Sequence, residues 1–147
     1  MNADAELNLL SLEILRLMDE YITLQKNLES RMNHGYLHLT KARYIMGEKH
    51  LSSTQIPYNE LTATTKSFRD SNDDGTTFRI GDENTKSGIQ NITKRPINWF
   101  GLLTPQSLKS ADVSFSKSIQ LAGDLASLSV KLQKSIQKFE GLLEKQA

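Results

Sequence analysis

Apolar residues recur every three or four positions along the first third of the chain. Leu7, Leu10, Ile14, Leu17, Tyr21, Leu24 and Leu28 alternate steps of three and four. That rhythm is the seam of a coiled coil and predicts a helix. It then changes, because Met32, Tyr36 and Leu39 follow at four, four and three. Such a stutter locally relaxes a left-handed supercoil. Gly35 lies at the same point, and glycine costs a helix interior about 1 kcal/mol against alanine. The spacing predicts a first arm over residues 5–48, bent or loosened near Gly35. It should close near Gly47, since glycine takes the left-handed conformation that ends helices.

A second arm is expected from about Thr104. Threonine as N-cap and Pro105 at the first helical position are start signals. Leu103 and Leu108 have the spacing of a hydrophobic staple. From there the heptads read Leu108, Ala111, Phe115, Ser118, Ala122, Leu125, Ser129, Leu132, Ile136, Phe139 and Leu143. Each arm also carries a second stripe, Leu15, Met18 and Ile22 in the first and Leu121, Leu128 and Leu142 in the last, with Ile119 and Ala126 on the opposite flank. A face wider than the seam buries against further helices. Those helices could belong to a self-associated bundle or to a different protein.

The two arms match in length at roughly 66 and 62 Å. Residues 1–30 hold six acids against Arg16 and Lys26, a net of −4. Residues 131–147 hold four lysines against Glu140 and Glu144, a net of +2. An antiparallel pairing brings these two ends together, although a lysine run of this kind is also what a solvated face looks like. Between the arms, 13 of the 46 residues from 50 to 95 are serine or threonine, and apolar residues show no period. A linker between hairpin tips can be long, because closure entropy grows only logarithmically with length. The expected fold class is therefore all-α: a long antiparallel helical hairpin, a coiled coil, with a disordered or irregular linker. The expected divisions are a first coiled-coil arm over 1–48, a flexible Ser/Thr-rich linker over 49–95, and a Trp-Phe segment with the second arm over 96–147.

Composition narrows the function. The chain of 147 residues is 37% hydrophobic and 7% aromatic, which suits an elongated helical unit better than a thick globular core. A net charge of +1 gives no basic footprint for nucleic acid. With no cysteine, there is no disulfide, thiol catalysis or cysteine-ligated zinc. The acidic start lacks the pattern of a signal peptide. No stretch reaches the ~18–20 apolar residues that span a bilayer. Any membrane role is expected to come through a partner.

Candidate chemistry is sparse. Asp70, Ser71, Asn72, Asp73, Asp74 and Gly75 match the first half of an EF-hand calcium loop, with alternating oxygen donors and a turn glycine. The closing position, which must be a bidentate glutamate, is Gly81. An acidic, turn-rich linker explains the segment as well. His34 and His38 share a helix face but lack the glutamate of a zincin motif and a third ligand. Asn91-Ile92-Thr93 is a glycosylation sequon that, without a signal peptide, should not meet its enzyme. No nucleophile has a base beside it, so neither a catalytic residue nor a cofactor is expected. Trp99 and Phe100, just ahead of the second arm, either pin the linker to the helices or anchor a partner. Tryptophan is enriched in binding hot spots.

Two blocks carry a family likeness. Leu39-Thr-Lys-Ala-Arg-Tyr-Ile-Met-Gly47 resembles an L-x-K-A-R-Y-x-M-G motif, and Pro96 through Leu128 resembles a second block of the same family. Together they cover 42 of 147 residues, in the expected order with a variable linker between. The family is the vacuolar-type ATPase assembly factors, which include coiled-coil domain-containing protein 115 and the fungal vacuolar ATPase assembly protein Vma twenty-two. The resemblance implies a non-catalytic, chaperone-like factor for the proton-translocating membrane sector. It implies a peripheral location on the cytosolic face of the endoplasmic reticulum, in complex with a two-span membrane assembly factor of the Vma-twelve type.

The motif supplies no residue-level binding map. The residues nominated for partner contact are Lys41, Arg43 and Tyr44 in the first block, and Trp99, Phe100, Leu121 and Leu128 in the second. The rival reading is a generic coiled-coil tether or trafficking adaptor, which would co-purify with vesicle tethers rather than ATPase subunits. A calcium-sensing module is a third.

Overall fold

The computed structural model describes residues 3–58, 63, 65–72, 75–81 and 96–146. The architecture is mixed α/β. Helix α1 covers Ala3–Met46 and helix α2 covers Gln106–Gln146. Strands β1 (Lys66–Asn72) and β2 (Gly75–Gly81) form a two-stranded antiparallel sheet. Short 3-10 turns lie at Ser53–Gln55 and Pro96–Phe100. The expectation of an all-α hairpin with an irregular linker is thereby corrected. The Ser/Thr-rich stretch contributes a β-hairpin to the folded unit.

The two helices run side by side in opposite directions. Gly35 of α1 faces Phe115 of α2, while Asn27 and Ser30 share a depression with Leu121. On α1 the sequence seam is the buried side: Leu10 and Leu17 are buried, and Leu7, Ile14, Tyr21, Leu24, Leu28 and Met32 are half-buried. Past the stutter the helix continues without a break. The seam passes to small residues, with Gly35 and Ala42 buried and Tyr36 exposed. Opposite them, α2 presents Ser107, Ala111, Ser114 and Ser118, all buried. Small side chains let the two backbones approach closely here. Ser118 Oγ donates to the Ser114 carbonyl at 2.9 Å, which satisfies its hydroxyl within its own helix.

Further along, α2 departs from the heptads read in the sequence. Leu125, Leu132 and Phe139 of the expected seam stay half-buried, but Ala122, Ser129, Ile136 and Leu143 are exposed, and Leu121 (half-buried) and Leu128 (buried) take their place. Part of the expected seam and part of the stripe taken as secondary together form the covered face. A straight helix drifts ~20° per heptad, and over ~40 residues the contact line moves to the neighbouring stripe.

The helix ends follow local chemistry. Gly47, at φ 85°, donates its N–H to the Arg43 carbonyl at 2.9 Å and closes α1 where glycine was expected to. At the start of α2 the Pro105 carbonyl accepts from Leu108 at 3.0 Å and Lys109 at 3.3 Å, so the cap is Pro105 and not Thr104 as expected, and the first helical position is Gln106 and not Pro105. The expected staple is absent: Leu108 is buried, but Leu103 is 97% exposed.

The β-hairpin docks on the back of α2. Gly123 is two residues from Leu121, about 200° round the helix and so on the far side from α1. A Cβ at Gly123 would stand 3.0 Å from Ile80 Cγ1 and 3.3 Å from the Phe78 carbonyl oxygen. The Phe78 N–H donates to Ser127 Oγ at 2.8 Å, and Ser127 Oγ donates to the Gly123 carbonyl at 2.9 Å. Phe78 and Ile80 lie on one face of the sheet. The register places Phe68, Asp70 and Arg79 on the other. There the Arg79 guanidinium covers the Phe68 ring at 5.3 Å and pairs with Asp70 at 3.5 Å. Helix α2 is the middle layer between α1 and the hairpin.

Candidate partner-binding surfaces

Gly35 opposite Phe115 fixes the level of the two helices. Met46 lies eleven residues beyond Gly35, and Thr104 eleven before Phe115. Both are thus ~16 Å along in the same direction, and the two family-like blocks meet at one end of the molecule. At that end the 3-10 turn Pro96–Phe100 touches α2, with Trp99 and Phe100 half-buried. Gly101 follows at φ 104° with nothing near its Cβ position, a backbone form that glycine tolerates and other residues resist. The chain then presents Leu102 and Leu103 fully to solvent. Tyr44 and Ile45, at the end of α1, are also exposed.

The nominated residues therefore separate. Lys41, Arg43 and Tyr44 are exposed near the end of α1, and Arg43 lies 3.7 Å from Glu48. Trp99 and Phe100 have one side on the fold and one side free. Leu121 lines a depression between the helices with Asn27, Ser30, Arg31, His34 and Ser114. Leu128 is a core residue at 9% exposure, and the packing of α1 on α2 already uses it. Sequence reasoning missed Leu102 and Leu103, which read as the approach to a helix. The signal that could have found them is the glycine directly before them in an apolar run.

The calcium-like segment does not form a loop over its first three positions. Asp70, Ser71 and Asn72 are strand residues paired with Thr77, Thr76 and Gly75. The segment runs straight along the strand rather than curling round an ion, and the Asp70 carboxylate pairs with Arg79 at 3.5 Å. Asp73 and Asp74 lie outside the described residues, as does the Asn91 sequon. Among the described residues no group of three His, Cys, Asp or Glu is placed to hold a metal, and no helix is long and apolar enough to cross a membrane. His34 and His38 stand together on α1, ring centroids 6.2 Å apart.

No family model matches the chain. Over nearly its whole length it is similar to curated proteins named vacuolar ATPase assembly protein VMA22. The mouse protein is 29% identical over 163 residues, covering 95% of this chain and 91% of its own length. The bovine protein is 27% identical over 164 residues, with 96% and 91% covered. The human protein is 30% identical over 164 residues, again with 96% and 91% covered. Identity at that level across the helices and the stretch between them means that this chain belongs to the family of vacuolar ATPase assembly protein VMA22.

Proposed function

We propose that this chain is a non-catalytic assembly factor for the vacuolar-type proton ATPase. Similarity to three proteins of that printed role, over 95–96% of the chain, is the observation that carries the reading. The surface is consistent with a protein that works by contact. Leu102, Leu103, Tyr44 and Ile45 are exposed at one end, and Leu9, Leu12 and Leu15 along α1. A membrane sector under construction exposes apolar surfaces that later subunits will cover, and surfaces of this kind can cover them reversibly. In this reading the chain acts on the proton-translocating membrane sector. A membrane-anchored partner holds it at the cytosolic face of the endoplasmic reticulum and raises its local concentration.

Affinity purification of the tagged chain, with mass spectrometry, tests this. The expected result is recovery of membrane-sector subunits and a membrane-spanning assembly factor, with loss of organelle acidification when the chain is depleted. Recovery of vesicle tethers with normal acidification would overturn it.

A further inference from the structure

The first half of α1 carries more apolar surface than α2 covers. Leu15, Met18 and Ile22 are 62, 45 and 48% exposed. With ~100° of turn per residue they lie together on one flank of the Leu10–Ile14–Leu17–Tyr21 seam, roughly 70–130° round from it. The level set by Gly35 and Phe115 places Leu15 beside Ile136, and the start of α1 beside Leu143. Ile136 and Leu143 are themselves partly exposed, on the flank that follows the α2 seam. Because the helices are antiparallel, these two flanks open to the same side of the pair. Leu15, Met18, Ile22, Ile136 and Leu143 line one apolar groove there.

Charge distinguishes the two sides. On the side away from the groove, Glu6, Glu13 and Glu20 run level with Lys145, Lys138 and Lys131, acid against base at each heptad. The groove side is flanked by Asp4, Glu29 and Glu140, all exposed, while the lysines of the last α2 turns lie round the other flank. Lys26, near the outer face of α1, has Asp19 beside it there.

We propose that this groove receives one amphipathic helix of basic character from a partner protein. Its apolar residues, at helical spacing, fill the groove, and its lysines or arginines meet Asp4, Glu29 and Glu140. A second copy of this chain would set one acidic lip against another, which like-charge repulsion opposes. The inference deepens the proposed binding role and rests on it, but its test needs no ATPase subunit and so can fail separately.

The experiment titrates the full chain into two fluorescent synthetic peptides. Both carry the same leucine stripe at helical spacing, one flanked by lysine and the other by glutamate. The lysine peptide should bind at least about tenfold more tightly, and less so in high salt. Leu15→Ser with Ile22→Ser should weaken it by roughly tenfold or more while circular dichroism stays unchanged. Asp70→Ala, on the hairpin behind α2, should leave it unaffected. Equal binding of the two peptides, or binding indifferent to the Leu15 and Ile22 changes, would overturn the proposal. So would a dimer in sedimentation equilibrium that those two changes dissolve.

Discussion

Gly35 of α1 lies directly against the ring of Phe115 of α2, so that a Cβ on the glycine would stand 2.8 Å from Cε1 and Cζ. The same ring meets Tyr36 edge-on, with centroids 5.2 Å apart. Glycine weakens the helix locally, and the close approach of the two helices offsets that weakness. This pair sets the level at which every other contact between the helices is made.

Gly35→Val should lower the melting temperature. Overpacking of this kind costs about 1–3 kcal/mol, more than valine gains over glycine in helix propensity. In a Phe115→Ala background the penalty should shrink, because the ring it strikes is gone. Equal penalties in both backgrounds, measured by thermal melting, would mean that the pair does not control the approach.

Ser127→Ala removes the acceptor for the Phe78 N–H. A lost bond to a half-buried amide costs about 1–2 kcal/mol. Hydrogen exchange at Phe78 should therefore accelerate, with the amides of Leu17 and Leu125 in the helix pair unchanged. Uniform acceleration across the chain would instead make the hairpin inseparable from the helix pair.

Asp70 pairs with Arg79 at the surface, both side chains more than half exposed. Asp70→Ala should change stability by less than about 1 kcal/mol. Calorimetry with sub-millimolar calcium should give no saturable heat for either protein. A stoichiometric micromolar site, lost in the variant, would contradict the strand geometry of residues 70–72.

Trp99 and Phe100 differ from Leu102 and Leu103 in burial, and this makes their variants informative together. Leu102→Ser with Leu103→Ser should leave the melting temperature unchanged, since both side chains are already in water. Trp99→Ala with Phe100→Ala should lower it, because truncating a well-buried aromatic costs about 3–5 kcal/mol and these are half-buried. Pull-down of ATPase subunits by each variant then reads partner contact separately from folding. Loss of binding only with the tryptophan pair would place the anchor there rather than on the leucines.

Local chemistry decided much of this molecule in advance. The steps of three and four from Leu7 to Leu28 determine which face of α1 is buried, Gly47 ends that helix, and Pro105 begins the next. These features depend on residues within a few positions of each other, so one sequence holds all the information they need. The resemblance of residues 39–47 and 96–128 to one family was legible in the same way.

Tertiary contacts decided the rest. The Asp-Gly at 74–75 and the alternation of Phe78, Arg79 and Ile80 are hairpin signals, but a two-stranded hairpin is marginal by itself. It is held by Gly123 and Ser127, some 45–50 residues further along. Which α2 stripe meets α1 was likewise open, since Leu121–Leu128 and Ala122–Ser129 both have helical spacing. Supercoil drift and the small-residue contact around Gly35 selected the first. Leu103 had the spacing of a staple, but Gly101 at positive φ leads into a segment that leaves it in solvent. In each case the sequence offered two arrangements of similar local energy, and contacts between residues far apart in the chain chose between them.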